Sequence, residues 1–329
     1  MKKIRFLVFF LFGFSQFLFS QENSELVVKP KLVKELKTNF NYSVFDADKN
    51  YLAWFEYYQS KIFLYDLSEG NEKSISLNNG RGPGEYLALT DLKLANNHIY
   101  IADPKNNKLL KINIQTENIE DIPFSTKSAY QFVYNDNNNI YLLENIKPNV
   151  LISFFDLSSY ESYPLNDDNL DLQEEFGNPF FKDGKLLYHD EMVYFVEKYR
   201  PRIYIFDTEK EGIKEKIIFD ESEVVMPKAL ESSDGAKAIH PPSKVDILTE
   251  DAVLFNFKPK RLFILARGVS DNREYDLGEL HEYDYVDEKF INSFELGVKA
   301  TDIFANNNFL FIYSETENAI FQYNITFFN

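Results

Sequence analysis

Residues Asn79 to Asn113 read NGRGPGEYLALTDLKLANNHIYIADPKNNKLLKIN. The run opens on a glycine-rich turn, Gly80-Arg81-Gly82-Pro83-Gly84-Glu85-Tyr86, and continues into short apolar segments separated by Asn and Asp. Tyr, Phe, Ile and Val suit a pleated surface buried on one or both faces. Asn and Asp tolerate left-handed backbone and cap their own turns. The stretch therefore reads as strands and tight connections. The turn lacks the G-K-[ST] ending of a phosphate loop and does not open a helix. Its glycines are read as structural, allowing positive φ in a crossing from one unit to the next.

Outward from this stretch, one pattern repeats. Its second and third strands read NYLAWFEYYQSKIFLYD ending at Asp66, HIYIADPKNNKLLKIN ending at Asn113, IYLLENIKPNVLISFFD ending at Asp156, MVYFVEKYRPRIYIFD ending at Asp207, and FLFIYSETENAIFQYN ending at Asn324. Between the last two, RLFILARG (261–268) matches a second strand and LHEYD, ending at Asp284, a third, with 268–279 expected as a longer loop. End markers fall 40 to 51 residues apart, except for one interval of 77. That interval holds an expected insertion at about 220–245. Repeats of this length must be sought before any other organisation. A lone sheet of this kind cannot bury its faces, whereas radial packing gives each a neighbour on both sides. The expected fold is all-β: a six-bladed β-propeller with four-stranded antiparallel blades. No segment after the N-terminal one sustains a 3.6-residue apolar period, so helices should be few. The run ELVVKPKLVKEL (Glu25–Leu36) is expected to pair with the last unit as its outer strand. A ring joined by both chain ends leaves no open edge.

The stretch also resembles an NHL-type propeller repeat, through Gly80, Gly82, Pro83, Gly84, Glu85 and Tyr86, then Tyr100, Ala102, Asp103, Asn106 and Asn107. The chain as a whole is similar to a secreted six-bladed β-propeller family carrying a single G-x-G-P-G-E-[FY] turn. The resemblance implies that fold and an extracytoplasmic home. It carries over no catalytic residue.

Compartment is read from the first residues. Met1-Lys2-Lys3-Ile4-Arg5 is a basic head, followed by Phe6–Ser20 without a charge and then polar Gln21-Glu22-Asn23. This is the layout of a secretory signal peptide, and fifteen uncharged residues fall short of the roughly 20 that span a bilayer. Residues 1–20 are expected to be removed, leaving a secreted or periplasmic propeller domain at 21–329 with no later membrane span. Loss of Lys2, Lys3 and Arg5 would take the net charge from −17 to −20. An acidic chain without a basic stripe is a poor nucleic-acid binder. With no cysteine, disulfides, thiolate metal sites, cysteine nucleophiles and a lipidated Cys are all excluded.

Functional candidates are few. No local spacing assigns a catalytic residue or a metal ligand set, and no cofactor is expected. Asp46-Ala47-Asp48-Lys49-Asn50 has the D-x-D-x-N spacing of a calcium loop, but Tyr51 replaces its glycine and no twelfth-position acid follows. Asp167, Asp168, Asp171, Glu174 and Glu175 read as a solvated acidic loop. Trp54, Tyr57 and Tyr58 are candidate recognition aromatics. In antiparallel blades, loops joining second and third strands share a face with the blade-to-blade crossings. That face would carry Arg81, Arg200, Arg202, Arg267 and Arg273 (or Lys258, Lys260 and Arg261 if the register slips), with His240 in the insertion. Clustered guanidinium groups there could hold a carboxylate, sulfate or phosphate bidentately. The expected function is binding of a protein, peptide or glycan on the loop face around the channel. The alternative is a hydrolase or lyase with a metal or carboxylate site at the channel mouth.

Overall fold

The computed structural model describes residues 26–27, 31–35, 44–123, 129–135, 139–144, 151–165, 182–198, 202–208, 212–218, 228–231, 237–240, 247–254, 261–269, 275–305, 309–314 and 316–324. Among these there is no α-helix. Six sheets of antiparallel strands follow one another along the chain. The inner strands are Val44–Ala47, Asp91–Ala95, Ala129–Asn135, Gly184–His189, Ile247–Leu254 and Asp302–Ala305. They pack side by side in cyclic order, and the sixth returns to the first.

The second strand of each blade explains the aromatic-rich runs. Tyr51–Glu56, His98–Asp103, Met192–Glu197 and Phe309–Ser314 are each buried from their second residue onward. Both faces meet a neighbouring blade, so the alternation of a half-exposed strand gives way to a continuous apolar run. In blade one, Leu52 and Trp54 face blade six, while Ala53 and Phe55 face blade two. Among the described residues each of the six junctions has its own apolar cluster. Burying one such large side chain contributes about 1.5–3 kcal/mol.

The end markers of the third strands are turn caps. Asp66 Oδ1 accepts the N–H groups of Ser68 and Glu69, Asn113 Oδ1 those of Gln115 and Thr116, and Asp284 Oδ1 those of Val286 and Asp287. Four residues beyond Asp66, Asn113, Asp156 and Asp284 the backbone turns left-handed, at Gly70, Glu117, Tyr160 and Glu288. The first turns of blades two and four use a different device. Asn96-Asn97 and Asp190-Glu191 both have positive φ at their two central residues, the twist that suits a two-residue hairpin.

Lys31–Glu35 pairs antiparallel with Ala319–Asn324 as the outer strand of blade six. Just before it, Leu26–Val27 adds a parallel fifth strand to the outer edge of blade five, opposite Phe294 and Glu295. The N-terminal segment thus joins two blades. In blade five, pairs Gly268–Asp276 and Val269–Tyr275 extend the hairpin. This corrects the longer loop expected at 268–279: the two strands continue instead, because backbone pairing there outlasts the apolar pattern. Within the insertion, Lys228–Glu231 pairs with Lys237–His240. Trp54 is also a correction. It is buried and stacks on Phe63 at 5.4 Å, so it belongs to the core between blades six and one.

Candidate functional site

A cavity of about 620 Å³ runs along the ring axis, lined by all six inner strands. These strands share no backbone ladder with one another, so their axial edges need other partners. Polar side chains supply them across the seams. Asp46 Oδ2 accepts the Leu94 N–H at 2.6 Å, joining blades one and two. Asp91 Oδ2 accepts Phe132 N–H at 2.9 Å, joining two and three. Gln131 takes Leu186 N–H at 3.2 Å and donates to Gly184 O at 2.9 Å, joining three and four. Lys185 Nζ lies 2.8 Å from Asp251 Oδ1 between four and five. Asp251 Oδ2 then accepts Ile303 N–H at 2.9 Å, joining five and six. At the closing seam Phe45 stacks on Phe304 and Tyr313, with centroids 5.7 and 4.8 Å apart.

Register sets the heights. Asp91, Lys185, Asp251 and Asp302 each stand opposite the fifth residue of their blade's second strand, close to the crossing loops. Asp46 and Lys93 stand two residues deeper, opposite Ala53 and Tyr100. Lys93 Nζ is 3.1 Å from Asp91 Oδ1. The inner strands therefore carry Asp46, Asp91, Asp251 and Asp302 together with Lys93 and Lys185, and of these Asp46, Lys93 and Lys185 line the cavity. Burial pushes the Asp46 carboxyl up to about 6, against the pull of Lys93 and of the Leu94 N–H. Burial also opposes the charge on Lys185, but Asp251, Asp302 and Asp91 outweigh it and hold its pKa above the lysine norm.

The glycine turn lies at the crossing from blade one to blade two. Gly80 N–H bonds Tyr86 O at 2.8 Å, and Gly82 N–H reaches Glu85 Oε2 at 2.7 Å. Gly84 has φ +72° and donates to Asp121 Oδ1 at 3.0 Å. A Cβ on Gly80 would fall 2.1 Å from Glu85 Oε2. Fully buried Asp103 accepts the N–H groups of Leu87 and Ala88, and Asn106 Nδ2 bridges Asp103 to Gly80 O. The I-Y-I-A-D-x-x-N segment thus fastens the G-x-G-P-G-E-Y turn, and this network leaves Arg81 and Pro83 exposed. Tyr86 is buried with its hydroxyl 2.7 Å from Ser60 Oγ.

The remaining candidates are dispersed. Arg81 sits at the junction of blades one and two, while Arg202 opens the third strand of blade four on the same loop face. Blades two and three separate them. Arg267 lies late in the second strand of blade five, on the loop-face end. Arg200 and Arg273, like the acidic run 167–175, lie outside the described residues, as do Lys258 and Lys260. Arg261 is at the other end of its strand, 2.5 Å from Asp284. His240 ends the insertion hairpin. In the D-x-D-x-N turn, Asp48 Oδ1 caps the N–H groups of Asn50 and Tyr51, both at 2.7 Å, while Asp46 reaches into the seam. Tyr57 donates its hydroxyl to Leu89 O, and Tyr58 is exposed. Among the described residues no group of three or more His, Cys, Asp or Glu side chains is placed to hold a metal ion. Among the described residues there is no helix long and apolar enough to cross a membrane.

Sequence reasoning missed most of the seam residues, naming Asp46 only as a calcium candidate. The available signal was a charged or amide residue inside each otherwise apolar inner strand: TDLKLA, AYQFVY, GKLLYH, EDAVLF and TDIFA.

Six four-stranded antiparallel blades around a polar axial cavity define a six-bladed β-propeller. The chain belongs to the DUF5128 family of six-bladed β-propellers, whose family model matches residues 34–240. A comparison with curated proteins finds no match in sequence. Among solved structures, the chain is similar to a protein from Bacteroides fragilis named as exported, with TM-score 0.55, 14% identity, and 92% of this chain and 96% of that one covered. It is also similar to a DUF4221 family member from Bacteroides vulgatus, with TM-score 0.54, 14% identity, and 91% and 98% covered. A third likeness is to the calcium-binding protein regucalcin from Agrobacterium tumefaciens, with TM-score 0.56, 10% identity, and 90% and 93% covered. At these identities the likeness is one of fold.

Proposed function

We propose that the protein is an extracytoplasmic binding propeller that takes its ligand, a protein, peptide or glycan, on the loop face and at the mouth of the axial cavity. The observation that carries this reading is the cavity itself, about 620 Å³ and lined by charged side chains held in place across the seams. That volume lies within the roughly 300–1,000 Å³ usual for ligand pockets. Rigidly held polar groups in a concave site are what orient a ligand. The basic head and short apolar run at the N-terminus, together with the exported relative of like fold, support a location outside the cytoplasm. On the loop face, at the other end of the inner strands from the Asp48-Lys49 and Asn96 turns that border this cavity, Arg81 and Arg202 offer separate anchors for anionic groups of the ligand.

A thermal-shift screen with peptides, oligosaccharides and divalent cations tests the reading, because a ligand of the native state raises the unfolding midpoint. One peptide or sugar class should raise it, and Arg81→Ala or Arg202→Ala should reduce the shift for anionic members of that class. A hit whose shift is untouched by these substitutions, and which protects only the outer strands from hydrogen exchange, would place the ligand elsewhere.

A further inference from the structure

Asp46 joins blades one and two, and its neighbours determine what a proton there would do. Its Oδ2 holds the Leu94 N–H at 2.6 Å. Lys93 and Asp91 act on it from the inner strand of blade two. Asp48 and Lys49 lie on its own turn, and Lys185 lines the same cavity from blade four, paired with Asp251 of blade five. Asp302 belongs to the blade-six strand packed beside it. We propose that this seam is an acid-responsive latch: a proton taken up by Asp46 weakens its hold on Leu94, leaves Lys93 to Asp91, and lowers the negative charge facing the lumen. A neutral carboxyl is a weaker acceptor than a carboxylate.

The range is accessible in mild acid, since burial raises the Asp46 carboxyl from 3.8 to about 6. The sign follows from that direction. A group with a raised folded-state pKa adds stability that is complete below the unfolded value and is lost as pH rises through the folded one. Between about pH 7.5 and pH 5, two readouts should therefore move in opposite senses. Global stability rises on acidification, while protection of the Leu94 amide falls.

The test compares the full exported chain with Asp46→Asn, by urea unfolding and by hydrogen exchange of the segment around Leu94, corrected for intrinsic rates. The wild type should gain midpoint and lose segment protection between about pH 7.5 and pH 5, and the variant should show neither step. Equal pH responses in both proteins would overturn the latch. If Asp46→Asn does not fold, the wild-type segment decides: a step near pH 6 supports the latch and a flat profile overturns it.

Discussion

The outer rim and the inner wall of this propeller satisfy the same backbone requirement by opposite means. On the rim, Asp66, Asn113 and Asp284 cap N–H groups two and three residues further along the chain. On the wall, Asp46, Asp91, Gln131 and Asp251 reach N–H groups 41 to 55 residues away, in the next blade. Rim caps shape one hairpin each, whereas wall contacts join blades that no backbone ladder connects. Wall substitutions should therefore disturb the whole ring, and rim substitutions a single turn.

The strongest way to break this contrast is Asp251→Ala. It leaves the Ile303 N–H without its acceptor and Lys185 without its partner, and removing one member of a buried pair costs about 3–5 kcal/mol. Urea unfolding should show that loss, and an effect no larger than that of a rim cap would erase the distinction. Asp103→Ala comes next, stranding the Leu87 and Ala88 N–H groups, for about 2–3 kcal/mol by the same assay. The smallest effect has the opposite sign. Tyr160 holds φ at 60° in an exposed rim turn, where the sequence places glycine in blade one. Asn tolerates that conformation better, so Tyr160→Asn should stabilise by up to ~1 kcal/mol, with hydrogen exchange changing only in the 156–162 hairpin.

The same contrast explains what could be read in advance. Blade rhythm was legible because its markers act locally: Asp66 and Asn113 recur where each third strand ends, and apolar runs such as YLAWFE report burial on two faces. The glycine turn was legible because Gly84 needs a positive φ. Seam partners were not, since nothing near Gln131 in the chain points to Leu186. The hairpin reaching Val269 and Tyr275 escaped notice because backbone pairing there carries no apolar signature. Trp54 looked available beside Tyr58 only because the chain does not announce that blade six lies over it.

The closure by Lys31–Glu35 has a temporal consequence. A growing polypeptide emerges from its beginning, so this strand appears nearly three hundred residues ahead of its mate, Ala319–Asn324. Until the final hairpin arrives with Phe311, Leu52, Trp54 and Phe304 lack part of their shelter. Newly made chains must therefore be kept from clinging to one another, and truncation near the end should yield sticky, protease-sensitive material rather than a smaller wheel.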